Sequence, residues 1–115
     1  MKEYTEKPQT DKLIELGFPL PKGWANEDIS NTMIMRVRNN GKEDFNYSIG
    51  ELISFLPAII DYENISYARV IDMETVKYYS WEYEIYYDIW ETKSKDLIDS
   101  LFEACVDLIE RGVMQ

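Results

Sequence analysis

The chain has 115 residues, 45% of them apolar, which suits one globular core rather than a disordered tract. Its 22 acidic against 12 basic residues give a formal net charge of −10, which argues against nucleic acid or an anionic membrane as a direct partner. A single cysteine, no signal-like run after Met1 and no apolar stretch near the ~18 residues of a membrane span point to a cytoplasmic chain, and the absence of histidine removes the side chain most used for general acid–base work.

Residues 1–9 are polar and lack an apolar period, so they read as a flexible N-terminal arm ahead of a single domain at 10–115. Thr10 can N-cap a short helix carrying Leu13, Ile14 and Leu16, with Gly17 as the left-handed stop and Phe18 folding back toward Leu13. Pro19, Pro21 and Gly23 keep the chain extended or turned as far as Trp24, whose apolar body straps this connection to the core. From Thr32 to Arg38, Met33, Met35 and Val37 alternate with Ile34, Arg36 and Arg38 as in a strand, and Asn40-Gly41 favours a hairpin whose returning strand runs to Tyr47. Ser48 and Glu51 form a capping box, so a helix is predicted from Ile49, with Ile49, Leu52, Ile53 and Leu56 on one face and Pro57 ending it.

Residues 65–72 are rich in β-formers, and Asp72 to Thr75 makes a turn. Next comes a strict alternation. Tyr79, Trp81, Tyr83, Ile85, Tyr87 and Ile89 occupy every odd position, with Ser80, Glu82, Glu84 and Asp88 between them. The pattern predicts one long strand with its odd face on the core and its even face meeting solvent or a partner. Thr92 or Ser94 then starts a last helix, where Leu97, Ile98, Leu101, Phe102, Cys105, Leu108 and Ile109 form an apolar stripe, ended by Gly112 with Val113 folding onto Leu108.

Charge is the main chemical feature left outside this core. Residues 61–115 hold 13 acidic and 5 basic side chains. On the last helix Asp96, Asp99, Glu103, Asp107 and Glu110 recur at steps of three and four and make one acidic ridge, while Glu82, Glu84 and Asp88 form a carboxylate row with Tyr86 and Trp90 among them. The plain reading is a solubilising surface. The sharper one is a docking surface for a protein partner with a basic patch, because opposed fields speed encounter and aromatics anchor interfaces.

Catalytic and metal readings find less support. Glu82 and Glu84 would stand about 7 Å apart on a strand, near the lower limit for an inverting glycosidase pair, but no feature splits their acidities. The same carboxylates lack the glycine-turned loop of a calcium site, so no metal or cofactor is expected. Cys105 sits on the apolar stripe with no histidine to activate it and reads as packing. The aromatics between Tyr78 and Trp90 suggest a base-stacking platform, yet such platforms use positive charge that this region lacks.

Three segments, KLIELGFPLPKGW (12–24), YSIGELISFLP (47–57) and SKDLIDSLFEACVDLIERGV (94–113), resemble small uncharacterised accessory proteins encoded by bacteriophages, prophages and mobile elements of gut bacteria. The resemblance implies a setting, a small accessory protein in a bacterial cytoplasm, and carries no activity or site residue with it. The expected fold is α+β: three or four antiparallel strands, two main helices packed on the sheet and a short N-terminal helix. The expected function is non-enzymatic, through protein–protein contact at the acidic, aromatic-bearing surface. Two alternatives stay open: a small-molecule or minor enzymatic site in a pocket lined by Trp81 and Tyr83, and a structural subunit, such as a homodimer, associating through the exposed long strand or surplus aromatic surface.

Overall fold

The computed structural model describes residues 2–21, 46–93 and 96–114. Among them the chain forms three helices and one open, four-stranded antiparallel sheet, the α+β arrangement expected. The strand expected at 32–38, its Asn40-Gly41 turn and the returning strand through Phe45 lie outside the described residues, as do Trp24 and Ser94.

Helix α1 spans Lys7–Glu15, so it begins before Thr10 and is capped by Glu6. Pro8 fits the first turn, where its missing N–H costs nothing, and Gln9 Oε1 accepts the Glu6 amide at 2.9 Å. Thr10 is therefore inside the helix and fully buried, its hydroxyl bonded to that of Thr5 at 2.7 Å. Residues 2–9, expected to be a flexible arm, touch the rest of the chain at several points. The Thr5 amide donates to Tyr47 O at 2.9 Å, Tyr4 bridges to Ser48, and the Lys2 ammonium lies 2.6 Å from Asp99. Gly17 stops the helix at φ +95°, with its amide on Ile14 O and that of Phe18 on Leu13 O.

Helix α2, Ile49–Phe55, starts at the expected capping box: Glu51 N donates to Ser48 Oγ at 3.2 Å and Ser48 N to Glu51 Oε1 at 3.1 Å. It ends before Pro57, and the guanidinium of Arg69 takes over its last carbonyls, donating to Ile53 O at 3.1 Å and Leu56 O at 2.7 Å. The final helix, α3, spans Leu97–Glu110 with Asp96 at its N-cap, a later start than Thr92 or Ser94. Gly112 at φ +73° closes it, and Val113 N reaches Leu108 O at 2.9 Å.

The sheet is a meander in chain order: β1 (Ile59–Tyr62), β2 (Ile65–Ile71), β3 (Thr75–Ser80) and β4 (Ile85–Glu91). Asp72 Oδ1 accepts the Thr75 amide at 3.1 Å and holds the β2–β3 turn where the sequence placed it. The long strand expected from Tyr79 to Ile89 is instead a hairpin. It folds back over Trp81–Glu84, where Ser80 O accepts the Glu84 amide at 2.8 Å, Ser80 Oγ accepts the Tyr83 amide at 3.2 Å, and Glu84 adopts φ +56°.

A second irregularity completes the reversal. Tyr78 pairs with Asp88 but Tyr79 pairs with Tyr86, so Tyr87 is an extra residue bulged out of the β4 ladder. The core face therefore carries Val76, Tyr78, Ser80 and Trp90, all buried, together with Ile60 and Tyr67. Of the odd set expected inside, Trp81 is 73% exposed, Tyr83 55% and Ile89 45%, while Ser80, expected in solvent, is buried. The alternation in sequence does not continue in space, because a turn and a bulge each interrupt it.

Helices α2 and α3 pack on the same face of the sheet, joining Leu13, Tyr47, Leu52, Ile98, Leu101, Cys105 and Leu108 to the strand residues in one core. Tyr78 donates its hydroxyl to Pro57 O at 2.6 Å and Tyr47 to Pro19 O at 2.6 Å, so both large rings are buried without stranding a polar atom. No helix among the described residues is long and apolar enough to cross a membrane.

Candidate interaction surface

The carboxylates singled out in the sequence do not form one surface. Glu82 and Glu84 are exposed at the β3–β4 hairpin tip, not along a strand, so the spacing that suggested a paired-carboxylate site does not hold. Asp88 points to the helix side, because it pairs with Tyr78 across the ladder, and its Oδ2 lies 2.7 Å from Arg111 Nη1 beyond the end of α3. Trp90 is 4% exposed and belongs to the core, with its indole nitrogen donating to Asp107 Oδ2 at 2.7 Å. Tyr86 lies on the opposite face and is exposed.

The helix ridge is likewise divided. Asp99 accepts Gln9 Nε2 at 2.8 Å and pairs with Lys2, joining α3 to the N-terminal segment. Asp107 holds Trp90 and lies 3.7 Å from Arg111. Asp96 sits at the helix start and is half-buried, whereas Glu103 and Glu110 face solvent. Partial burial, with Asp107 and Asp99 nearby, raises the Glu103 carboxyl above its ordinary value. Asp99 and Asp107 thus help hold the fold together, a role that charge spacing alone does not reveal.

What the strand pattern hid is an aromatic face. On the side of the sheet turned away from the helices, Ala68 pairs with Tyr79, Val70 with Lys77, Lys77 with Ile89 and Tyr79 with Tyr86. Val70, Lys77, Tyr79, Trp81 and Tyr86 line a concavity of about 280 Å³. Tyr79 is its centre, with its ring centroid 4.8 Å from Trp81 at 85° and 4.7 Å from Tyr86 at 50°. Lys77 is the cation in this lining, and its ammonium lies 3.2 Å from the Asp72 carboxylate, which is held below its ordinary range by that partner. The pocket foreseen between sheet and helices is thus replaced, as far as Trp81 is concerned, by a groove on the far face.

The bulge explains the division of labour among the tyrosines. By turning Tyr87 to the helix side it places that ring 5.2 Å from Tyr62, 5.6 Å from Tyr67 and under the Arg111 guanidinium at 5.7 Å. Tyr86 is freed for the outer face. Cys105 is fully buried, its thiol pushed up to about 12 by burial and directed to Leu52 O at 3.8 Å. Among the described residues, no three histidine, cysteine or carboxylate side chains are grouped so as to hold a metal ion.

Compared with protein-family models, curated proteins and solved structures, the chain finds no match in any of the three.

Proposed function

We propose that the protein acts by binding another protein, without catalysis, through the outer face of its sheet and the adjoining hairpin tip. The observation that carries this reading is the group Trp81, Tyr83, Tyr86 and Ile89, four large apolar side chains exposed on the hairpin tip and the outer face. Contiguous exposed aromatics are costly in water and typical of interface anchors. Glu82 and Glu84 at the same tip give the surface its acidic rim and favour a partner with basic groups. The setting we attach to it, an accessory protein of a phage or mobile element, rests on the resemblance of the three segments alone.

Affinity capture from bacterial lysate tests the reading. The wild-type chain, Trp81→Ala and a Glu103→Lys/Glu110→Lys double variant are compared at low and moderate salt. Partner recovery should fall with the Trp81 change and survive the helix change. Recovery that is indifferent to Trp81 would remove the sheet face from consideration, and recovery lost only with the helix change would return the role to the acidic ridge.

A further inference from the structure

We propose that the outer face of the sheet docks a proline-rich segment of a partner, flanked by arginine or lysine and held in polyproline II conformation. The inference rests on the protein-binding reading and gives it a ligand chemistry.

Shape is the first ground. Tyr79 is in ring contact with Trp81 at an inclination of 85° and with Tyr86 at 50°, so the three rings form an uneven aromatic surface instead of a flat table. A groove of about 280 Å³ lined by aromatics suits the small, flat prolyl ring. A polyproline II segment has no internal hydrogen bonds, is already extended and loses little entropy on binding, which allows a shallow site to hold it.

Charge is the second ground. Lys77 is offset by Asp72, so the lining presents little free positive charge to a phosphate, and base stacking on such a platform normally requires it. Exposed acids stand at both ends instead: Glu82 and Glu84 beside Trp81 at the tip, and Glu91 opposite Thr75 at the other end of the hairpin. From Tyr79 to Thr75 the strand covers about 13 Å, about the rise of four polyproline II residues. A short proline run therefore spans the face with its flanking cations delivered to carboxylates at either end.

The probe is a synthetic peptide of prolines with two arginines at each terminus, titrated into the isotope-labelled full chain and followed by NMR. Shifts are expected at Tyr79, Trp81, Tyr86 and Ile89. Binding should weaken at least about tenfold when alanines replace the prolines, and by a similar factor in Trp81→Ala and in Tyr86→Ala. A Glu82→Gln/Glu84→Gln variant should bind about two- to threefold less tightly, with a flatter salt dependence. Equal binding of the alanine peptide, shifts confined to the helix side, or no shift at millimolar peptide would overturn the proposal. So would a dimer of the free chain that dissociates in Trp81→Ala, since a second copy would then be the occupant. Trp81-dependent capture from lysate without peptide binding would reject the proline chemistry and leave the protein-binding reading standing; loss of both would reject both.

Discussion

The indole nitrogen of Trp90 donates to the Asp107 carboxylate at 2.7 Å, tying the edge strand β4 to α3. Arg111 lies 3.7 Å from Asp107 and 2.7 Å from Asp88. An acid that looks like part of a solvated ridge is thus an acceptor for a nearly buried donor. Asp107→Lys should cost about 1–3 kcal/mol, because the indole loses its partner and two cations meet, whereas Glu110→Lys should stay within about 0.5 kcal/mol. Urea denaturation of the two variants checks the contrast.

The two tryptophans on either side of the hairpin tip should behave oppositely. Trp90→Ala empties a core position and should cost about 3–5 kcal/mol. Trp81→Ala, at a side chain 73% exposed, should change stability by less than about 1 kcal/mol. Thermal melts of both variants measure which side of the sheet is the inside. A large loss at Trp81 would restore the odd-face arrangement expected from the alternation.

Glu84 holds φ +56° in the tip, a conformation that suits glycine. Replacing Glu84 by Gly should remove about 1 kcal/mol of backbone strain, partly offset by the added freedom of the unfolded chain. A net gain of a few tenths of a kcal/mol is expected, read as a raised urea midpoint with unchanged slope.

How much of the molecule could be read from its sequence depends on where the chemistry of a turn is written. The Ser48–Glu51 box, the Gly17 and Gly112 stops and the apolar stripe of α3 were legible because each uses a residue whose local geometry is specific. The β1–β2 turn was not. Glu63 and Asn64 take φ +50° and +66° there without a glycine, and β1 is only four residues long. The β3–β4 tip hides in the same way, with Trp81–Glu84 offering no proline, glycine or asparagine to mark it. Tertiary packing chose the reversal, since folding back sets Trp90 opposite Val76 and brings both into the core beside Tyr78. Partner choices such as Lys2 with Asp99 join residues nearly a hundred positions apart and leave no local trace.

Glu103 supplies a pH prediction. Partial burial and its acidic neighbours raise its folded carboxyl, so the folded state binds the proton more tightly than the unfolded one. Its contribution to stability is therefore most favourable below the unfolded value and declines as pH rises through the folded one. Glu103→Gln should stabilise the chain slightly at neutral pH, within about 0.5 kcal/mol for a surface site, and the advantage should vanish in acid. Paired denaturation curves across that range give the test.

Cys105 should resist thiol reagents while the chain is folded, since its burial disfavours the thiolate and blocks access. Labelling should keep pace with opening of the core across a urea series. Rapid labelling in buffer would mean that α3 leaves the sheet readily.

The supernumerary residue in β4 separates position in the gene from position in space. Because Tyr87 is one more than the ladder uses, deleting it would leave Ile85, Tyr86 and Asp88 on their present sides and forfeit only the ring lodged by Tyr62, Tyr67 and Arg111. Deleting one residue from the middle of β3 would instead transpose everything beyond it, turning buried side chains outward. The hairpin therefore has a site of graceful length variation in one arm and none in the other, an asymmetry that drift and selection would treat very differently.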